Sequence, residues 1–340
     1  MTQALSIGIL GTANIARSFV RAVRQSQRVS ITAVASRDPR KAEAFAQEMG
    51  IPRHFGSYEA LLADRAIDAV YNPLPNSLHA AWCIAAVRAG KHVLCEKPLA
   101  VGPAEARAMF DAARLHGVHL VEAYPYLAQP QTLKMRELLK DGAIGDVRLI
   151  QASFGFTVND RGNIRLNAQL AGGALMDAGV YPLSLIRIVA GRRAMRVQAA
   201  ARWTKAGEGR GVDIALAATL IFDNGLIAQA TCSFESALHR QALIMGSTGV
   251  IQTTFPNHTS AQQPAVLSLR TGSGAQAVDG RIETPPIDGF LAEAESFARL
   301  VREGSSHWIG ATPDESIDIA MMLEALLQSA RSGVAAEVRG

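Results

Sequence analysis

The stretch GILGTANIA, residues 8–16, decides the fold of the first part of the chain. It joins a short apolar strand (SIGIL, 6–10) to a segment with helical periodicity (14–25), and its small residues follow the pattern G-x-A-x-x-A. Small residues in such a turn let backbone N–H groups approach a pyrophosphate at the N-terminus of the helix. Alanine occupies the middle position, where glycine is usual. The predicted pyrophosphate-binding residues are Gly11, Thr12, Ala13, Asn14 and Ile15.

The alternation of strand and helix continues beyond this turn. Strand-like segments lie at 29–36, 66–72, 91–95 and 118–123, and helical segments lie at 39–50, 76–90 and 102–117. Repeated β-α units predict an α/β fold with a doubly wound parallel sheet, which binds its ligand at the carboxyl ends of the strands.

The pattern changes near Tyr124. A connector helix (130–145) precedes a series of alternating segments that run largely without helices between them, which predicts a mostly antiparallel sheet. These segments are 146–156, 196–203, 212–222, 225–234, 239–245 and 264–270. Helices at 174–190, 289–303 and 314–332 are expected to cover one face of that sheet. The predicted domains are a dinucleotide-binding domain over residues 1–122 and a substrate-binding α+β domain over residues 123–340.

The composition fits a globular protein of about two domains, with 340 residues, 49% hydrophobic and 19% charged. The net charge of +4 is small and the cations are scattered, which argues against a nucleic-acid partner. The three cysteines lack CxxC spacing, so neither a disulfide framework nor a metal site is predicted. The first ten residues lack a basic region and no apolar run is long enough to cross a membrane, so the expected location is the cytoplasm.

The end of the second strand indicates which dinucleotide is bound. An acidic residue there would bond the ribose hydroxyls of NAD, but this chain has Ser36 and Arg37, with Lys41 a turn further on. A guanidinium and a hydroxyl suit the 2′-phosphate of NADP. Asp38 is interpreted as the N-cap of the next helix. The predicted cofactor is NADP, with NAD as the alternative; the other reading of Arg37 is a solvated loop cation.

The segment NPLPNSLH (72–79) follows the third of the long strand-like segments. Its place at the carboxyl end of a parallel strand predicts that Leu74, Asn76 and His79 lie near the cofactor. The alternative is that Asn76 only caps the following helix and that His79 is only a partly buried helix residue.

Glu96, Lys97 and Pro98 follow another parallel strand, at the sheet edge where the pyrophosphate turn lies. Charged residues at the end of a buried strand are costly unless something uses them, and nicotinamide should be within reach of Lys97. A second motif, GGALMDAGVY (172–181), spaces Asp177 and Tyr181 four residues apart, on one face of a helix. They offer a carboxylate and a phenol to an expected cleft; the alternative is an ordinary helix with a core tyrosine.

Together these motifs resemble the glucose–fructose oxidoreductase/inositol dehydrogenase/rhizopine-catabolism family. The resemblance rests on the fingerprint turn, PLPNSLH, AGKHVLCEKPLA (89–100), GAIGDV (142–147), GGALMDAGVY and SARSG (329–333), and it spans nearly the whole chain. It implies a Rossmann domain, a second domain with a large open sheet, and a homodimer or homotetramer formed through that sheet. It also implies hydride transfer between NAD(P) and a carbinol carbon of a sugar, cyclitol or related diol, and a cis bond between Lys97 and Pro98.

Tyrosine at 181, where many members carry histidine, is similar to the branch of the family that includes D-xylose 1-dehydrogenase and dihydrodiol dehydrogenase. The resemblance implies that Tyr181 exchanges a proton with the substrate, while Lys97 favours the phenolate and bonds the substrate oxygen. Asp177 would orient the substrate or Lys97, and Glu96 would bond the nicotinamide ribose or balance the local charge. Further candidates for substrate hydroxyls, in the loop before the motif, are Asn163 and Arg165. Related sequences often have an arginine near Leu127, so no substrate contact is carried over from that segment.

Two other functions stay open at this point. Some members of the superfamily bind the dinucleotide but act as regulators; the presence of both Lys97 and Tyr181 favours an enzyme over such a sensor. Enzymes of the glucose–fructose oxidoreductase type keep NADP bound and cycle between two sugars, but they carry an N-terminal arm, whereas this chain has only a few residues before its first strand.

Overall fold

The computed structural model describes residues 4–204, 211–260, 262–272 and 276–339. The chain forms two compact units, each built from more than one segment. The first unit comprises Met1–Ala100, Ala104–Ala128 and Ile287–Pro313, and the second comprises Val101–Pro103, Gln129–Pro286 and Asp314–Gly340. The chain therefore returns to the first unit after residue 286, which a single boundary at residue 122 does not describe.

The first unit contains a fully parallel six-stranded sheet. Its strands are β1 (Leu5–Leu10), β2 (Val29–Ala35), β3 (Arg53–Phe55), β4 (Ala69–Asn72), β5 (His92–Glu96) and β6 (Leu120–Ala123). The strand order is β3-β2-β1-β4-β5-β6. This is the order of dinucleotide-binding folds, and the direction of winding reverses between β1 and β4, where such folds bind their ligand. The predicted parallel sheet is confirmed.

Helices connect these strands and follow the predicted pattern. They are α1 (Asn14–Val23), α2 (Pro39–Met49), α3 (Tyr58–Leu62), α4 (His79–Arg88) and α5 (Pro103–Leu115). The ends of α2 show how the sequence sets a helix boundary: Asp38 accepts a hydrogen bond from the Arg40 backbone N–H at 3.0 Å, and Gly50 ends the helix in a left-handed conformation. The predicted capping role of Asp38 is confirmed. The short elements β3 and α3 were not predicted, because each spans too few residues to show a period.

The second unit contains a nine-stranded mixed sheet. Its strands are β7 (Val147–Thr157), β8 (Arg196–Trp203), β9 (Asp213–Ile221), β10 (Ile227–Ser233), β11 (Glu235–Gly246), β12 (Gly249–Thr253), β13 (Ala265–Thr271), β14 (Val278–Thr284) and β15 (Ala336–Glu337). The order is β14-β13-β12-β11-β7-β10-β9-β8-β15, and every pair is antiparallel except β7 with β10. The prediction of a large, mostly antiparallel sheet is confirmed.

The helices of the second unit are α6 (Pro130–Lys140), α7 (Val180–Ala190) and α9 (Pro313–Ser332). A π-helical turn, Leu175–Gly179, leads into α7. Residues 168–190 are long and apolar enough to cross a membrane, but 78% of the qualifying window is buried inside the protein. Such burial is typical of the core helix of a soluble protein.

The remaining helix, α8 (Gly289–Glu303), corrects one prediction. It was expected to cover the antiparallel sheet, but it belongs to the first unit. Phe290 packs edge-on against Phe19 of α1 with ring centroids 6.0 Å apart, and Phe19 in turn stacks on Tyr71 of β4 at 4.1 Å. The amphipathic pattern of α8 predicted an apolar face correctly, but a pattern does not say which sheet the face covers.

Candidate active site

The turn after β1 has the geometry of a pyrophosphate site. Gly11 has φ +90°, and a Cβ there would lie 2.9 Å from Cδ2 of Leu74, so only glycine fits. The helix α1 begins at Asn14, and in the described chain no side chain caps its N-terminus and no acidic residue lies in its first turn. The backbone N–H groups of Asn14 and Ile15 therefore present the positive end of the helix dipole to an anion.

Arg17, which the sequence analysis did not assign, supports this turn. Its Nη1 donates to the backbone oxygen of Thr12 and to Oδ1 of Asn14, both at 3.3 Å, and its Nε donates to Glu48 at 2.8 Å. The arginine thus links the fingerprint turn to α2. Arg17 lies one turn into α1, where a cation interacts unfavourably with the helix dipole. A cation at this position in a sequence therefore indicates a specific partner that compensates for the dipole.

The candidate NADP-selecting residues lie beside the same turn. Ser36 is buried and its Oγ accepts a hydrogen bond from the Asp38 backbone N–H at 3.2 Å, whereas Arg37 and Lys41 are exposed. Arg37 lies close to the phenol of Tyr58; burial raises the pKa of Tyr58, and the charge of Arg37 opposes that rise. Because the Tyr58 hydroxyl lies 3.7 Å from the Cβ position built on Gly11, Arg37 lies near the pyrophosphate turn.

The side chain of His79 contacts the backbone of two turns. It is fully buried, and its two ring nitrogens lie 2.8 Å from the backbone oxygen of Pro98 and 2.7 Å from that of Leu74. Burial lowers the pKa of His79, and the nearby charge of Lys97 lowers it further, while the two carbonyl groups oppose the shift. His79 therefore ties the turn after β4 to the turn after β5, and its predicted place near the cofactor stays a prediction.

Asn76 does not cap α4. It opens a short 3₁₀ turn, Asn76–Leu78, and α4 begins with Leu78 as its N-cap residue. The side chain of Asn76 is half-buried at the carboxyl end of β4, so its placement near a bound dinucleotide stays a prediction.

The turn after β5 holds a half-buried lysine within a shell of buried acidic side chains. Lys97 is joined to Pro98 by a cis peptide bond, as the family resemblance implied. Glu96 accepts a hydrogen bond from the Tyr71 hydroxyl at 2.7 Å, and Glu122 accepts one from the Leu99 backbone N–H at 2.8 Å. The first bond orients the side chain of Glu96 before Lys97, and the second restrains the backbone after it.

A third buried carboxyl group, Glu293 of α8, faces the same turn. Burial and the charge of Glu96 hold the pKa of Glu293 well above its usual range. The uncharged form of Glu293 is therefore favoured over its carboxylate beside Glu96. The sequence analysis did not assign it, because it lies on a helix that was placed in the other domain.

In the second unit, Asp177 lies in the π-helical turn before α7 and pairs with Arg165, whose Nε is 2.6 Å from the carboxylate. Asn163 begins the short 3₁₀ turn that carries Arg165, and its Oδ1 accepts a hydrogen bond from the Arg165 backbone N–H at 3.1 Å. Gly172 allows this loop to approach closely, because a Cβ there would lie 2.4 Å from the Arg165 backbone oxygen. The structure thus brings Asn163, Arg165 and Asp177 together.

Tyr181 is buried on the first turn of α7, with only 6% of its surface exposed. Its hydroxyl accepts a hydrogen bond from Nδ2 of Asn257 at 3.0 Å. Its ring packs edge-on against Phe154 with centroids 5.5 Å apart, and the guanidinium carbon of Arg240 lies 4.1 Å from its ring centroid. Asn257 and Arg240 were missed by the sequence analysis.

One signal could have found Arg240. Arg240 lies on the same face of β11 as the buried residues Ala242 and Ile244. It is therefore a cation on the strand face where alternation predicts apolar side chains. Asn257 gave no such signal, because it lies in the irregular segment after β12.

Family models match both parts of the chain. The model described as "Oxidoreductase family, NAD-binding Rossmann fold" matches residues 5–124, and the GFO/IDH/MocA C-terminal domain model matches residues 132–252. The chain is similar to a D-xylose 1-dehydrogenase (NADP(+)) of Haloferax volcanii, with 37% identity over 98% of this chain and 100% of the relative. It is also similar to a trans-1,2-dihydrobenzene-1,2-diol dehydrogenase of Danio rerio, with 35% identity over 89% of this chain and 90% of the relative.

A solved structure has the same fold. It is KijD10, a 3-ketoreductase from Actinomadura kijaniata, in complex with NADP and TDP-benzene. The TM-score is 0.86 and the identity 32%, over 96% of this chain and 98% of that chain.

Proposed function

This chain belongs to the GFO/IDH/MocA oxidoreductase family, and we propose that it transfers a hydride between NADP and a carbinol carbon of a sugar, cyclitol or related diol. The observation that carries the proposal is the buried phenol of Tyr181, whose oxygen accepts a hydrogen bond from Asn257. Tyr181 follows Asp177, the partner of Arg165, by four residues. A fixed phenol is equipped to exchange a proton with a hydroxyl. The xylose and dihydrodiol dehydrogenases and the NADP-bound ketoreductase among the relatives support this class of substrate.

The cofactor residues of the first unit fit NADP. The open N-terminus of α1 suits the pyrophosphate, and Arg37 with Ser36 suits a 2′-phosphate, with Lys41 exposed on the first turn of α2. When bound, NADP supplies the nicotinamide ring that accepts the hydride. Glu96 is proposed to bond the nicotinamide ribose through the carboxylate that Tyr71 orients.

The proton chemistry is proposed for Lys97 and Tyr181. In oxidation, Tyr181 takes the proton of the substrate hydroxyl as the hydride leaves the carbon; in reduction it returns that proton. Lys97 donates a hydrogen bond to the same oxygen and stabilises the negative charge that develops there. Asp177, Arg165 and Asn163 are proposed to orient the remaining hydroxyl groups of the substrate.

A substrate screen tests the proposal. The purified protein is incubated with NADP or NAD and with D-xylose and other aldoses, inositols or trans-dihydrodiols, and the absorbance of reduced nicotinamide is followed. We expect turnover with NADP on at least one of these classes and loss of turnover in Tyr181→Phe. NADP binding without turnover on any substrate would instead favour a regulator of the same superfamily, and NADP that stays bound through turnover would favour the two-sugar cycle.

We also propose a homodimer or homotetramer formed through the sheet of the second unit. The face of that sheet opposite α7 carries uncharged side chains on its central strands, among them Gln151, Ala217, Gln229 and Thr231. Such a surface can pair with a second copy without burying charge. Light scattering checks this: Gln229→Arg should lower the molar mass, whereas Gln328→Arg on the exposed side of α9 should not. A cytoplasmic location is proposed on the same family basis.

A further inference from the structure

A free phenol titrates near pH 10, so a proton acceptor of this type needs a cation nearby if it is to work near neutrality. Within the second unit, such a cation lies directly over Tyr181. We propose that Arg240 is a positioning residue for the proton transfer: its guanidinium favours the phenolate of Tyr181 and, through Asn257, fixes the direction of the hydrogen bonds at the phenol oxygen. This inference rests on the proposed role of Tyr181.

Arg240 is held in place by a box of three aromatic rings. Its guanidinium carbon lies 4.1 Å from the ring centroid of Tyr181, 4.9 Å from that of Phe154 and 4.8 Å from that of Phe255. Phe154 is the register partner of Arg240 across the β7–β11 pair, so the sheet itself sets one wall of the box. A weakly hydrated, planar cation suits such a site, whereas a lysine would lose the stacking.

The third ring, that of Phe255, belongs to a residue with a strained backbone. Phe255 is a fully buried residue with φ +34°, a conformation that bulky residues rarely adopt. Its N–H donates to the Thr253 hydroxyl at 3.2 Å, which holds the turn in this shape. Strain of this kind persists where surrounding contacts demand it, and here it presents the ring of Phe255 to Arg240.

Arg240 also determines how Asn257 bonds to the phenol. Nη2 of Arg240 donates to Oδ1 of Asn257 at 3.1 Å, and because a guanidinium has only donors, the amide oxygen must face Arg240. The amide nitrogen therefore faces Tyr181 and donates to its oxygen at 3.0 Å. Asn257 is thus a donor to the phenol oxygen, so the phenol proton is not used in a hydrogen bond to Asn257. A donor at this oxygen also stabilises the phenolate.

Among the described residues of the second unit, Asp177 lies one helical turn before Tyr181, and its charge is paired with that of Arg165 at 2.6 Å. Arg240, by contrast, lies over the phenol ring itself, 4.1 Å from its centroid. An opposite charge at this distance shifts a titration by about 1 to 3 pH units.

The test is the titration of Tyr181 in Arg240→Met and Arg240→Lys. Tyrosinate absorbance is measured as the difference between each protein and its Tyr181→Phe counterpart, and the pH dependence of kcat is measured alongside. In Arg240→Met we expect the Tyr181 midpoint and the rising limb of kcat to move to higher pH by about 1 to 3 units. Arg240→Lys, which keeps the charge without the planar fork, should fall between that variant and the original protein. Arg148→Met, on the exposed end of β7, is the matched control and should leave both curves in place.

An unchanged midpoint in folded Arg240→Met, with a rate lowered equally at every pH, would overturn the proposal and leave Arg240 a packing residue. If Arg240→Met fails to fold, Arg240→Gln, which also removes the charge, decides in the same way, since a Tyr181 midpoint identical to that of the original protein would overturn the proposal. The spectroscopic titration does not depend on turnover. Full activity in Tyr181→Phe would therefore refute the proposed function of Tyr181 without deciding the charge effect of Arg240.

Discussion

The two units reach their candidate sites by different routes. In the first unit, Gly11, Arg37 and Lys97 each follow a parallel strand, and the winding of the sheet brings the ends of those strands to one edge. In the second unit, Tyr181 is surrounded by side chains from β7, β11 and the segment after β12, which meet through cross-strand register. A site at the ends of parallel strands can be predicted from local sequence motifs. A site formed by cross-strand neighbours can be predicted only when the pairing of distant strands is known.

Lys97→Met is expected to have the largest effect, because it removes the ammonium group that follows β5 and leaves the strand itself intact. We expect kcat to fall by about a thousandfold or more, while NADP binding stays largely intact. Steady-state kinetics and a fluorescence titration of NADP measure the two quantities. Lys140→Met, at the exposed end of α6, serves as the control, and near-normal turnover in Lys97→Met would refute its role.

Phe290→Ala tests whether the first unit depends on the helix that returns to it. Loss of this buried ring from the α1–α8 contact should lower the free energy of unfolding by about 3 to 5 kcal/mol. Denaturant unfolding measures the loss, with Leu115→Ala at an exposed position as the control. A loss no larger than that of the control would mean that α8 contributes little to the unit.

The buried carboxyl group of Asp213 should make the stability of the second unit depend on pH. It accepts a hydrogen bond from the Leu175 backbone N–H at 2.7 Å, and burial raises its pKa from 3.8 to about 6. Because the folded state binds the proton more tightly than the unfolded state, stability should fall as pH rises through this window, by about 3 kcal/mol in total, and should level off above pH 6. Asp213→Asn should remove this decrease. Equal slopes of unfolding free energy against pH in the two proteins would contradict the assignment.

Arg37→Asp should have the smallest of these effects and should act on cofactor choice alone. Loss of a charge-assisted bond to the 2′-phosphate, together with the new negative charge, should weaken NADP binding about 10- to 100-fold. NAD binding should change less. Calorimetric titration of both dinucleotides checks this, with the exposed Arg65→Asp as the control, and unchanged NADP affinity would refute the selection by Arg37.

The contrast between the units also explains what the sequence could predict. Gly11 and Lys97 could be proposed as site residues because glycine in a β-α turn and charge at the end of a buried strand are each anomalous without a ligand. Asp177 and Tyr181 could be proposed because they share one short motif. Arg240 and Asn257 were missed because their meaning depends on which strands pair, and the helical period of α8 did not reveal which sheet it covers.

His79 shows a subtler limit of the same kind. Its motif placed it correctly at the end of β4, but its partners are two backbone carbonyl groups that the motif does not encode. A histidine near a ligand site can bind the ligand or hold together the loops that do so. Local sequence alone does not separate these roles.

The return of the chain to the first unit has a consequence for its synthesis. Residues 287–313 complete that unit, but 158 residues separate them from Ala128. At translation rates of about 5 to 20 residues per second, a nascent chain would wait roughly 10 to 30 s between the emergence of these two segments from the ribosome. During that interval the apolar face of α1 that Phe290 will cover has no α8 against it. The first unit therefore cannot complete its folding until α8 has been synthesised, although most of its residues are translated first.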